Sequence, residues 1–337
     1  VPINDPYAFD AYDQWENYMS YAPCQNMFSQ GQYNMVSANL TNIDFLMNLV
    51  SLSNQTATGV LAPAVLCQAS FYSDVQTICA GNDVQFSDES YFNVTGWSWT
   101  FEGGTPATST DQNPLVTYNA AGTFDVTLEV TDGISTETIT LTDYVLVLSD
   151  PGDLLPYQEG FETLTALPDN DRFLVENGNG TTTWELTNAA SYTGNDCAFI
   201  ENFGTADGST DELISGTIDL SGVLTTDPMV FNFRYAYKRQ TAADDEWLKF
   251  YVSNDCGQTW ALRKNIHGAS LGSGISTSAY VPASADEWTE VSVTNITSDY
   301  YVSDFRYKFE FTNDGGNNFY LDHINLYPQS MTGISET

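Results

Sequence analysis

Basic side chains are scarce in this chain: nine Lys and Arg stand against 44 Asp and Glu, a formal charge of −35. Phosphates would be repelled, which is hostile to nucleic acid and to anionic membrane surfaces. Histidine is scarcer still, with only His267 and His323, and no H-E-x-x-H zinc motif occurs. Cys24, Cys67, Cys79, Cys197 and Cys256 form no C-x-x-C pair. Zinc-finger spacing is therefore excluded, and disulfides in an oxidising compartment are the expected use of sulfur. No apolar run approaches the roughly 18 residues of a membrane helix. A glycine-rich nucleotide loop and a G-x-S-x-G nucleophile elbow are both missing.

What is abundant points to strands and turns. Aromatic residues make up 14% of the 337 positions, and Thr, Ser, Gly and Asn fill much of the rest, the composition of β-sandwiches. The acids are dispersed rather than run together; they are either solvated or hold divalent cations. Three textures follow along the chain. Residues 1–62 contain the one convincing helix, with Ser29 and Gln32 as a capping box and Tyr33, Val36 and Leu40 on one face. Residues 65–148 alternate in "DVQFSD", "GWSWTF" and "TFDVTLEVTD", with turns at Gly81-Asn82, Gly103-Gly104 and Asp132-Gly133. This predicts a small antiparallel sandwich of about seven strands. Trp97 and Trp99 share one side of a strand, either as core or as a glycan-stacking pair. After the boundary "SDPGDLLP", residues 157–328 again alternate, as in "FNFRYAYK", "EWLKFYVS" and "FRYKFEF", which suits a jelly-roll sandwich. Residues 329–337 read as a loose tail. The fold class is mainly β: two antiparallel sandwiches after a small helical segment.

Asn17-Tyr18-Met19-Ser20-Tyr21, then Cys24, Met27-Phe28 and Gly31-Gln32, resemble the pappalysin-like (cytophagalysin) metalloproteases, a metzincin family, from their Met-turn onward. The resemblance implies that Met19 forms the apolar floor under three zinc histidines and that Tyr21 turns its hydroxyl toward the oxyanion. Zinc would activate the water, and a phenol donor complements charge that develops only in the transition state. The zinc histidines and general-base Glu would precede Val1, so the zinc belongs to a longer parent. The alternative is that Met19 and Tyr21 pack in the core of a tyrosine-rich segment.

Val84-Gln85-Phe86-Ser87-Asp88, Trp97-Ser98-Trp99-Thr100-Phe101, Asn113-Pro114, Tyr118 and Ala121-Gly122-Thr123-Phe124, running on into Val126–Asp132, resemble a PKD domain, an immunoglobulin-like sandwich. Glu102-Gly103-Gly104 stands where that family has Gly-Asp-Gly. "YQEGFET", "DELISGTIDLSG", "VSNDCGQTW" and "NDGGNNFYLDHINLY" look like the adhesin-type and MAM-like jelly rolls of secreted Bacteroidetes proteins. That likeness implies a calcium ion between Glu162 and Asp322. Asp207 and Asp211, and Asp244 or Asp245, are further candidate ligands. The order of protease, PKD domain and jelly roll resembles type IX secretion cargo.

Cys67 and Cys79 lie in the first two strands of the PKD-like sandwich and are expected to bridge; Cys197 and Cys256 are left for each other in the jelly roll. Cys24 would then pair upstream of Val1. Taken together, the expectation is the C-terminal part of a secreted zinc endopeptidase acting on proteins or peptides, with accessory β-modules. The alternative is an adhesion protein with a glycan or cell-surface partner. If the protease reading holds, Tyr21→Phe in the zinc-loaded parent lowers kcat by up to roughly 2–4 kcal/mol of barrier, the size of a lost oxyanion donor. Steady-state kinetics on a peptide substrate reads this directly, and an unchanged kcat makes Tyr21 a packing residue.

Overall fold

The computed structural model describes residues 66–331, apart from 171, 179–181, 206–207 and 273, together with Asn34, Ser37 and Ala38, which are helical as expected. Met19, Tyr21, Cys24 and Asp207 lie outside the described residues.

Nine strands build the first sandwich: β1 (Phe71–Ser73), β2 (Thr77–Cys79), β3 (Asn82–Asp88), β4 (Gly96–Phe101), β5 (Gly104–Thr105), β6 (Thr108–Ser109), β7 (Leu115–Tyr118), β8 (Gly122–Thr131) and β9 (Thr136–Leu148). One sheet runs β1-β3-β7-β5 and the other β2-β9-β8-β4-β6. The alternation read from the sequence fills the space between them: Val84, Phe86, Trp99, Phe101, Val126, Leu128 and Val130 are all buried in one cluster. Trp99 is core rather than a stacking surface, and its Nε1–H donates to the Asp111 carbonyl at 2.9 Å. Trp97 packs against the same core, and its Nε1–H donates to Asp88 Oδ2 at 2.8 Å. Trp99 is thus not free to hold a sugar, and Trp97 is partly covered. The glycine turn after β4 is required sterically, because a Cβ on Gly103 would collide with the Phe124 ring and its φ of +65° lies in the left-handed region.

Eleven strands build the second, jelly-roll-like sandwich: β10 (Tyr157–Glu159), β11 (Phe173–Asn177), β12 (Trp184–Thr187), β13 (Cys197–Ile200), β14 (Thr210–Ser215), β15 (Met229–Tyr237), β16 (Trp247–Ser253), β17 (Ala261–His267), β18 (Thr289–Val293), β19 (Arg306–Thr312) and β20 (Phe319–Pro328). A six-stranded sheet, β12-β13-β20-β15-β18 with β10 on β20, faces a five-stranded sheet, β11-β14-β19-β16-β17. Their facing surfaces share an aromatic core in which Phe231, Phe233, Phe250, Tyr307 and Phe309 interlock, with ring centroids 4.4–6.3 Å apart. The segment between the sandwiches lies on the second one: Thr217 Oγ1–H donates to the Ser149 carbonyl at 2.6 Å, and the Gly152 amide donates to the Ser303 carbonyl.

The expected disulfides are corrected. Cys79 bonds Cys256, 177 residues away, and ties the two sandwiches together. In β2, Ile78 faces the first core, so Cys79 must face outward. There it meets Cys256 in the loop after β16, within a small apolar patch with Leu146 and Leu148. Cys67 is disulfide-bonded, but not to Cys79. Cys197 is free and buried, because its neighbour Ala198 points into the core and Cys197 points into an outer layer with Tyr280, Trp288 and Tyr320. Its thiol donates to the Ala190 carbonyl at 3.0 Å, and burial raises its pKa, so it is a poor nucleophile. Cys197 on β13 and Cys256 in the loop after β16 do not pair, since Cys256 is bonded to Cys79.

Peptide mapping without reduction should therefore recover a Cys79–Cys256 link and a Cys197 thiol that reacts only after unfolding. Closing 177 residues contributes on the order of 5 kcal/mol in the chain-entropy treatment, so Cys79→Ala/Cys256→Ala should melt well below the parent. An equal melting temperature would show that the bond adds nothing to stability.

Candidate functional site

Two places gather chemistry-bearing side chains. The first is the pair Glu162 and Asp322. Strand β20 carries a bulge at His323, whose φ is +56°, and the register against β15 slips there. This leaves Asp322 fully buried, directly after the core residue Leu321. Its Oδ2 accepts the Tyr192 and Thr193 amides at 2.6 and 3.0 Å, and its Oδ1 accepts the His323 amide at 2.6 Å. Glu162 Oε1 takes the next two amides of the same loop, Asn195 and Asp196, at 2.7 and 2.8 Å. The two carboxylates thus hold the loop 191–196 from both flanks. Burial, with Glu162's charge adding to it, pushes the Asp322 carboxyl up to about 7. The Asp196 and Asn195 amides hold Glu162 below its usual range.

Of the other acids of the calcium expectation, Asp211, Asp244 and Asp245 are each engaged elsewhere. Asp211 is buried, its Oδ2 accepting from Ser209 Oγ at 3.1 Å. Asp245 is half-exposed and pairs with His267 Nδ1 at 2.7 Å. Asp244 caps a turn, accepting the Gln240 and Thr241 amides, each at 2.7 Å. Among the described residues no three His, Cys, Asp or Glu side chains converge on one point. A cation between Glu162 and Asp322 would complete its shell with carbonyl or amide oxygens, which calcium accepts.

The second place is the outward face of the five-stranded sheet. All nine Lys and Arg of the chain lie between Arg172 and Lys308, and five of them sit on β16, β17 and β19. Alternation sends Trp247, Lys249 and Tyr251 outward from β16 while Leu248, Phe250 and Val252 face the core. On β19, Arg306, Lys308 and Glu310 face outward opposite Tyr307, Phe309 and Phe311. Adjacent strands then interlock by charge: Lys249 Nζ reaches Glu310 Oε1 at 2.5 Å, and Lys308 Nζ reaches Glu212 Oε1 of β14 at 2.6 Å. The ammonium of Lys308 also lies 5.3 and 5.0 Å from the Tyr251 and Trp260 rings. At the other end, Trp247 stacks on His267 with centroids 4.0 Å apart and planes 6° from parallel. The result is a row of flat rings between fixed donors and acceptors.

Trp260 is set by the turn before β17. Asp255 Oδ1 accepts Ser253 Oγ–H at 2.7 Å and the Thr259 amide at 2.9 Å, and its Oδ2 accepts Thr259 Oγ1–H. This outward row escaped the sequence reading. Its signal was in the text: "WLKFY" and "RYKFE" place ring or charge at every second residue, the positions the aromatic core does not need.

Residues 68–147 match the PKD domain family. No curated protein matches the chain. Similar solved structures include a carbohydrate-binding module of the β-sandwich superfamily, 18% identical, covering 77% of this chain and 97% of that one with a TM-score of 0.33. A cleaved adhesin domain of Lys-gingipain from Porphyromonas gingivalis is 16% identical, covers 50% and 96%, and has a TM-score of 0.33. The first PKD domain of a Vibrio cholerae metalloprotease is 29% identical over 23% of this chain and 96% of that one, with a TM-score of 0.19.

Proposed function

We propose that the described part of the chain is an extracellular accessory unit: a PKD spacer carrying a sandwich whose five-stranded sheet binds glycan at its outward face. The row Trp247–Lys249–Tyr251–Lys308–Trp260 carries this reading. Aromatic faces suit the C–H faces of sugar rings, and Lys and Glu heads suit hydroxyls, which both donate and accept. The Lys249–Glu310 and Lys308–Glu212 pairs order those heads beforehand, so less side-chain freedom is lost on binding. The disulfide fits an oxidising compartment, and no helix of the described residues is long and apolar enough to cross a membrane. The same proposal sets the unit behind a secreted zinc endopeptidase, on the Met-turn likeness of Asn17–Tyr21. There the unit would hold the enzyme at a glycan-rich surface while proteins or peptides are cleaved.

Binding to an array of plant and microbial polysaccharides tests the reading. Trp247→Ala and Tyr251→Ala should each weaken the retained glycan by at least about 1 kcal/mol, the threshold of an interface residue that matters, without moving the melt. A chain that retains no glycan, or variants that bind as the parent does, overturns it.

Calcium belongs to the same proposal, supported by the buried Asp322 carboxylate beside Glu162. The ion would neutralise the pair and fix the 191–196 loop. Ligand binding to the folded state alone raises stability. A chelator should therefore lower the melting temperature, and calcium should restore it in the parent but not in Asp322→Asn. A melt indifferent to chelator ends the calcium assignment.

A further inference from the structure

At the junction of the two sandwiches the outward face runs into a pocket of about 300 Å³, the low end of small-ligand sites. Val75 and Thr77 of the first sandwich form one wall, Trp260, Arg306, Lys308 and the Cys256–Gly257 turn form the other, and the Glu176 and Glu212 carboxylates also line the space. Arg306 is the unusual member. It is 4% exposed, yet among the described residues it makes no ion pair. Nε–H donates to the Ser215 carbonyl at 2.9 Å and Nη1–H to the Cys256 carbonyl at 3.0 Å, while Nη2 is buried with no partner. Burial lowers its pKa to about 10, so it remains charged at neutral pH. A buried guanidinium with an unused amino group is costly unless an acceptor reaches it.

The space beside it is kept open by the backbone. A Cβ on Gly257 would fall 2.5 Å from Arg306 Nη1 and 3.1 Å from the Trp260 ring, and φ at Gly257 is +88°. Trp260 lies 5.8 Å from the guanidinium and 5.0 Å from the Lys308 ammonium. The pocket therefore offers one flat ring, one ammonium already shared with Glu212, and one guanidinium that makes no ion pair. The Glu176 carboxylate lines the same space and acts on that guanidinium through its charge.

We infer that this junction pocket takes the carboxylate of an acidic sugar, its ring on Trp260 and its carboxylate on Arg306, so that the glycan bound along the sheet contains uronic acid. This rests on the glycan reading above and names the ligand class. Planar bidentate carboxylate recognition is what a guanidinium does better than an ammonium. It also makes the PKD domain part of the site, since Val75 and Thr77 close the pocket. The second sandwich alone would lack that wall.

Calorimetry on the full chain, with oligogalacturonate and its methyl ester as paired probes, tests the inference. The acid should bind about tenfold tighter than the ester, or 1.4 kcal/mol. Arg306→Gln should erase that preference, so that acid and ester bind the variant equally. Because Arg306 is buried, Thr77→Glu provides a second variant. It places a carboxylate on the opposite, half-exposed wall, and it too should erase the preference with the melt unmoved. Equal binding of acid and ester overturns the inference but leaves the glycan reading standing, provided Trp247→Ala weakens both. Binding of neither probe or any other glycan overturns both. Acidic peptides that bind as tightly as the uronate, and compete with it, also overturn the inference and make the pocket a peptide site.

Discussion

Because successive side chains of a strand point to opposite faces, every inward residue of this molecule commits its two neighbours to the outside. The inward set is large and aromatic: Phe231, Phe233, Phe250, Tyr307 and Phe309 fill the second sandwich, and Phe86, Trp99 and Phe101 fill the first. Once those rings are placed, the outward row of Trp247, Lys249 and Tyr251 is no longer independent. A slip of one residue in β16 would put Lys249 into the core and Phe250 into water. The rigidity of the outward face thus comes from packing on its far side, and its ion pairs only trim the positions of the heads.

The same constraint governs sulfur. Ile78 inward obliges Cys79 outward, and Ala198 inward obliges Cys197 outward. The first meets a partner from the other sandwich, while the second meets an apolar layer and stays a thiol. A covalent link across a domain boundary, reinforced by the Thr217–Ser149 hydrogen bond, makes the segment at 149–153 a joint held on both sides.

The sandwiches were legible because period-two alternation and glycine turns are local signals; Gly81, Gly103 and Gly133 all take the positive φ their turns require. Disulfide pairing was not legible, since it depends on which faces of distant strands meet. Cys67 and Cys79 are near in sequence yet belong to different edges of the fold. A family likeness singled out Glu162 and Asp322 as calcium ligands, but their grip on amides of residues 192–196 was not legible. It depends on a bulge at His323, a non-glycine residue at positive φ that carries no sequence mark. Arg306 gave no signal at all: an arginine in an alternating strand reads as a solvated head, and only the neighbouring sandwich and the Cys256 turn bury it.

The crowding of every cation into the second sandwich leaves residues 66–148 with eleven Asp and Glu and no Lys or Arg. Both sandwiches nevertheless stay net negative, because residues 149–331 hold 27 Asp and Glu against those nine cations. Positive charge is thus a local feature of one sheet face, and a ligand meets it only at short range, since exposed charges more than about 10 Å apart are largely screened at ordinary ionic strength.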